Sequence, residues 1–227
     1  MKRAEIFALA VMPGLAAGQL PDANGNDSML LDSFLEQTTT LQADFSQELL
    51  DGGGNLVETA SGTFRLKRPN RFLFNYAEPF EQQVVADATN LWIYDVELEQ
   101  VTVSPLQGAI SSSPAMLLSG DGGARDRFEI VESSRDGAFV WVSLAPREQG
   151  ADFRSVEVGF DAGELVALVL VDALGQVTSI EFRNVVVNLD MEDELFRFEP
   201  PAGADVIGEP AESTEPGETT GTLGARH

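Results

Sequence analysis

The 227-residue chain predicts a mainly β protein with a few helices, built on one large antiparallel sheet curled as a barrel or sandwich. Three observations carry this. Short runs of alternating apolar residues recur along the chain, with turn signals roughly every 8–12 residues. Helical periodicity is confined to two stretches. No GxGxxG pattern, and no GxxxxGK followed by Ser or Thr, stands after a strand, so nothing supports a nucleotide-binding α/β fold.

The elements follow in order. Residues 28–39 form a first helix, capped by Asp27 or Ser28, with Leu30, Leu31, Phe34 and Leu35 on one stripe. The period then drops to two: Leu41, Ala43 and Phe45 alternate with Gln42, Asp44 and Ser46. Asp51-Gly52-Gly53-Gly54 turns the chain, and residues 63–67 run back with Phe64 and Leu66 on one face. Arg68-Pro69-Asn70 ends that strand, because proline cannot donate to the ladder and asparagine favours turns. Strands follow at 72–76, 82–86, 91–94 and 100–103. A second helix is expected at 113–119, where Pro114 suits a first turn and Gly120 a stop. Six more strands are expected at 128–132, 138–144, 155–160, 165–171, 177–183 and 195–198.

Several strands carry bulky apolar groups on both faces. Leu91 and Ile93 oppose Trp92 and Tyr94, and Phe139 and Trp141 oppose Val140, Val142 and Leu144. Residues 165–171 are apolar throughout. A half-buried sheet has one wet face. Here either both faces are packed by protein, or one lines a cavity for an apolar guest.

Composition removes several function classes. Cysteine is absent, which excludes thiol nucleophiles, disulfides and a lipid-modified N-terminal cysteine. The single histidine, His227, ends a polar stretch, so neither a Ser-His-Asp triad nor a histidine metal site is supported. The 37 acidic and 14 basic residues leave a net charge of −23, opposite to what phosphate-backbone or anionic-bilayer binding needs. Met1-Lys2-Arg3, a short apolar run from Ile6 to Met12 and small residues to Gly18 read as a signal peptide over residues 1–18, although Glu5 departs from the pattern. That run is far short of the ~20 residues needed to span a bilayer. Residues 19–27 read as a linker, 28–207 as the folded domain, and 208–227, with Glu209, Glu212, Glu215 and Glu218, as a flexible acidic tail.

An ordered set of motifs then points to a family. Phe45-Ser46-Gln47 is followed by Gly62-Thr63-Phe64, by Lys67-Arg68-Pro69-Asn70-Arg71-Phe72, and by Asp87 to Asp95 with its Leu91-Trp92-Ile93-Tyr94 core. Downstream come Ser113-Pro114-Ala115-Met116-Leu117-Leu118 and Phe196-Arg197-Phe198-Glu199-Pro200-Pro201-Ala202-Gly203. In this order they resemble the LolA family of periplasmic outer-membrane lipoprotein carriers, across almost the whole folded region. The resemblance implies a curved incomplete antiparallel β-barrel covered by an α-helical lid, with lipoprotein acyl chains held between sheet and lid. It also implies a periplasmic monomer that is loaded by an inner-membrane LolCDE-type ABC transporter and unloaded onto a LolB-type outer-membrane receptor. It calls for no cofactor, metal or catalytic residue, and nucleic acid is not a partner.

The resemblance also assigns residues. Arg68 matches the arginine that latches the lid to the sheet through lid backbone, a task suited to five donors in a planar fork. Met116, Leu117 and Leu118, with Ile110 before them and Leu31, Phe34 and Leu35 on the first helix, are candidates for filling the groove when it is empty. Phe72, Phe74, Tyr76, Leu91, Trp92, Ile93 and Trp141 are candidates for its wall, though the two faces of one strand cannot both line it. Arg71 stands where the family often has an apolar or aromatic residue. Two other classes stay open beside the carrier. One is an enzyme using carboxylates among Asp87, Asp95, Glu97 and Glu99. The other is a lipid-sensing envelope adaptor of the same fold that moves no cargo.

Overall fold

A computed structural model describes residues 25–106, 115–120, 127–147 and 153–211. Helix α1 (Gly25–Gln37) leads into β1 (Thr40–Leu50), β2 (Leu56–Lys67), β3 (Arg71–Glu78), β4 (Gln82–Asp87), β5 (Asn90–Asp95) and β6 (Gln100–Pro105). After α2 (Ala115–Ser119) come β7 (Phe128–Asp136), β8 (Phe139–Pro146), β9 (Phe153–Asp161), β10 (Glu164–Asp172) and β11 (Val177–Val187). A 3-10 helix (Asp193–Phe196) and β12 (Asp205–Gly208) follow.

The twelve described strands form one open sheet in the order β12-β6-β5-β4-β3-β2-β1-β11-β10-β9-β8-β7. Two antiparallel meanders, β1 to β6 and β7 to β11, are thus joined through the pairing of β1 with β11, which places Phe45 opposite Phe182. Register shifts at Gln42/Asp44, Ser61/Gly62 and Ile130/Glu132 bend the strands. Such bulges raise local twist and let a long sheet curl. The tight turns use aspartate. Asp51, Asp87 and Asp172 each accept bonds from backbone N–H groups two to four residues on.

Curling gives the sheet a concave and a convex face. Leu41, Ala43, Phe45, Phe64, Leu66, Phe72, Phe74, Ala86 and Leu91 cover one half of the concave face. Val140, Val142, Leu144, Val156, Val158, Phe160, Leu168, Leu170, Ile180 and Phe182 cover the other. Helix α1 lays Leu31 and Phe34 on this surface, with the Phe34 and Phe160 rings 5.7 Å apart, and α2 adds Leu117 and Leu118. The expectation of a mainly β, incomplete barrel under helices therefore holds.

Three expectations are corrected. Helix α1 begins at Gly25, taking in three residues assigned to the linker; residues 1–24 lie outside the described residues. Residues 195–198 are not a strand. They begin in the 3-10 helix, closed by Leu195 N–H to Glu192 O at 3.3 Å and Arg197 N–H to Glu194 O at 3.2 Å. Their period-two aromatics are real, but the segment crosses the convex face instead of joining the sheet. Phe196 is buried with Leu73, Val85 and Met191, and Phe198 rests on Trp92 and Tyr94. The free edge of β6 is taken by β12, in parallel, a strand the sequence reading missed. Gly208 serves there because a Cβ would stand 2.1 Å from the Val103 carbonyl oxygen. The tail expected from residue 208 thus starts docked, with Ala211 N–H bonded to Asn90 Oδ1 at 2.7 Å; residues 212–227 lie outside the described residues.

Candidate functional site

The candidate site is the apolar contact between the concave face and the two helices, where one arginine bonds to both helices. Strands β2 and β3 are joined by a corner, Arg68-Pro69-Asn70, with Asn70 in the left-handed region at φ 59°. Asparagine adopts that conformation more readily than most residues. The corner is fixed from both sides. Arg68 N–H donates to Thr39 O at 2.9 Å, and Asn70 N–H donates to Ser119 O, the last residue of α2, at 2.7 Å.

From this corner the Arg68 side chain turns under both helices. Its Nε donates to Leu118 O of α2 at 2.9 Å, and Nη1 donates to Leu35 O in the last turn of α1. The guanidinium also lies 5.6 Å from the Phe34 ring centroid. A helix C-terminus leaves carbonyls without intrahelical partners and carries partial negative charge, so a cation there is doubly matched. Asn188, at the end of β11, completes the cap: its Nδ2 donates to Gln37 O at 3.0 Å and its Oδ1 accepts from Thr39 N–H at 2.8 Å. Burial lowers the Arg68 pKa to about 10, which leaves it cationic at neutral pH.

Behind Arg68 the concave face is aromatic. Phe72, Phe74 and Tyr76 line up on β3, as alternation requires, and Phe64 and Phe45 meet them from β2 and β1. Phe64 and Phe74 are 4.4 Å apart, Phe45 and Phe74 5.1 Å, and Phe64 and Phe182 5.4 Å. Tyr76 sets one polar atom in this wall, its hydroxyl donating to Gln47 Oε1 at 3.1 Å. Burial, and next to it the charge of Glu58, push the Tyr76 pKa up to about 12, so the phenol stays neutral.

The candidates named from the sequence divide by face. Phe72, Phe74, Tyr76 and Leu91 stand on the concave side, Ile93 follows Leu91 by alternation, and Leu117 and Leu118 come down from the lid. Met116 is in α2, but its side chain lies outside the described residues, as does all of Ile110. The two tryptophans are separated from this group. Trp92 belongs to the convex cluster, where its Nε1 donates to Asp87 Oδ2 at 2.7 Å. Trp141 lies over Gly159, on the face opposite Val140 and Val142. Period two forbids either from joining its concave neighbours. Arg71 also faces outward, at 3.8 Å from Asp193, so its departure from the family pattern leaves the inner corner to Phe72. Phe45, Phe64, Phe160 and Phe182 were missing from the candidates; the strand phase of Phe64 and Leu66 was visible, but nothing in it marked which face was concave.

The family model described as outer membrane lipoprotein carrier protein LolA matches residues 36–199. An outer-membrane lipoprotein carrier protein of Methylococcus capsulatus is 39% identical over 199 residues, covering 88% of this chain and 96% of its own. One of Nitrosospira multiformis is 43% identical over 180 residues, covering 79% and 87%. A crystal structure of a LolA superfamily protein from Nitrosomonas europaea superimposes with a TM-score of 0.46 at 11% identity, covering 76% of this chain and 97% of that one. With most of its length matched by the family model and by relatives near 40% identity, this chain belongs to the LolA family of outer-membrane lipoprotein carrier proteins.

Proposed function

We propose that this protein is a periplasmic chaperone for outer-membrane lipoproteins, holding their acyl chains between the aromatic concave face and the lid formed by α1 and α2. In this reading it is loaded by an inner-membrane LolCDE-type transporter and emptied onto a LolB-type receptor, works as a monomer and performs no chemistry on its cargo. No described helix is long and apolar enough to cross a membrane.

The observation that carries the reading is the Arg68 fork, because it ties both helices by bonds that can be exchanged. A hydrogen bond to a charged group contributes about 1.5–3 kcal/mol, so two such bonds hold the lid by roughly 3–6 kcal/mol. Burying one acyl chain of ~16 carbons yields on the order of 12 kcal/mol gross. Cargo therefore outweighs the latch, while the latch and the lid's own leucines stabilise the empty state enough to permit release. Leu117 and Leu118 are buried against the concave face, and in this reading an acyl chain displaces them.

The test is reconstitution with transporter-bearing inner-membrane vesicles and ATP. Wild type releases a lipoprotein as a soluble one-to-one complex and passes it to receptor. Arg68→Leu folds and loads, but transfers to the receptor more slowly by about tenfold or more, because the empty state that competes with cargo is lost. Transfer at the wild-type rate removes the latch, and absence of any soluble complex with wild type removes the carrier in favour of a sensor.

A further inference from the structure

Lys67, Arg68 and Arg71 place three cations within five residues of one corner, in a chain with only 14 basic residues. Lys67 and Arg71 are directly opposite one another where β2 pairs with β3. Like charges so placed repel and strain the hairpin they close. Both are engaged from the convex side by the segment that crosses the sheet there. Lys67 Nζ lies 2.5 Å from Asp193 Oδ1 and donates to Met191 O at 2.5 Å, and Arg71 Nη2 lies 3.8 Å from Asp193 Oδ2. The crossing segment is itself seated, since Met191 and Phe196 are buried against Leu73 and Val85.

We infer that Asp193 is a positioning residue for the lid latch: its carboxylate, held by the C-terminal crossing segment, pins the Lys67–Arg71 base of the corner from outside and so aims Arg68 at the lid inside. The inference rests on the carrier reading above, in which Arg68 holds the lid. One strand pair separates the two sets of contacts. Lys67 and Arg71 face the crossing segment, whereas Arg68, between them, faces Leu35 and Leu118. Without the carboxylate, Lys67 and Arg71 repel, the corner splays, and the Arg68 fork no longer meets two carbonyls on different helices at once. A second link, from Asn188 Nδ2 to Gln37 O of α1 at 3.0 Å, does not involve Arg68, so the dependence on Arg68 is what separates the corner from it.

Association of palmitate carrying a fluorophore requires the lid to open, so its rate reads the latch without transporter or receptor. Four full-length chains form a cycle: wild type, Arg68→Leu, Asp193→Ala and the double variant. Asp193 is exposed, so its replacement leaves folding intact, which the urea midpoint checks. The expected result is that Asp193→Ala speeds association by about 1.4- to 5-fold in the wild-type background, the range for exposed ion pairs, and changes nothing once Arg68 is leucine. Asp193→Glu restores the slow rate. An equal acceleration in both backgrounds, or none in either while Arg68→Leu is fast, overturns the inference and leaves the latch standing. An Arg68→Leu rate equal to wild type overturns the latch itself, and the inference with it.

Discussion

The rings of Phe45 and Tyr76 meet edge to face at 5.0 Å, although β2 runs between the strands that carry them. They do so above Gly62, which pairs with Phe45 on one side and Tyr76 on the other. The bulge at Ser61/Gly62 draws β3 so close that a Cβ on Gly62 would stand 1.9 Å from Asn75 O and 3.0 Å from the Tyr76 Cα. Glycine is thus what lets the aromatic wall close over a bent strand.

Gly62→Ala is accordingly expected to destabilise the fold by roughly 3 kcal/mol, at the upper end for an overpacked site, because the obstructing atoms are backbone and cannot rotate away. Urea unfolding checks this: the midpoint falls while the slope stays constant. A variant as stable as wild type would show that β3 can move off β2 at little cost, and that the bulge does not fix the wall.

The division of the faces predicts different fates for three aromatic residues. Phe74→Ala removes a ring that touches Phe45, Phe64, Phe72 and Tyr76, and it is expected to weaken fluorescent palmitate binding by tenfold or more. It also costs about 3–5 kcal/mol of stability. Trp141→Phe and Trp92→Phe, on the convex side, leave the affinity within twofold. Trp92→Phe alone loses the bond to Asp87, about 1 kcal/mol of stability. A loss of affinity in either tryptophan variant comparable to that of Phe74→Ala would place the guest on the wrong side of the sheet.

Those residues also mark what the sequence could and could not tell. Alternation fixed Phe72, Phe74 and Tyr76 as companions, because a pleated strand admits no other arrangement. It could not say which face was concave. That depends on bulges such as Ser61/Gly62, which carry no mark in composition. Trp92 was a lining candidate because its strand is bulky and apolar on both faces, and the cover it receives comes from Phe198, more than a hundred residues away. Phe196 and Phe198 looked like a strand for a related reason. Their spacing suits a pleat, but it suits equally a chain laid across an apolar surface. The corner at Arg68 was legible because proline and asparagine end a strand locally, whereas the task of its side chain came only from the family resemblance. Asn188 and Asp193 were not, since their partners at Gln37 and Lys67 are brought near only by the finished fold.

Glu157 gives a prediction about pH. It stands on the convex side of β9, with Ser143 on one neighbouring strand and Val169 on the other, and Glu132 lies beyond Ser143 on β7. Burial raises its pKa above the ordinary glutamate value, and the negative charge of Glu132 raises it further. A carboxyl with a raised folded pKa binds its proton more tightly in the folded state. Its contribution to stability is therefore complete below the unfolded pKa and is lost as pH rises through the folded one. Glu157→Gln keeps the shape and removes the titration. At pH 7 the variant is expected to unfold at a higher urea concentration than wild type, and the gap is expected to narrow as pH falls through the carboxylate range. Glu132→Gln, which removes only the neighbouring charge, gives a smaller gain with the same direction. A constant gap would mean that folding does not shift the Glu157 carboxyl, and one that widens towards acid would mean that a partner holding it as a carboxylate outweighs its burial.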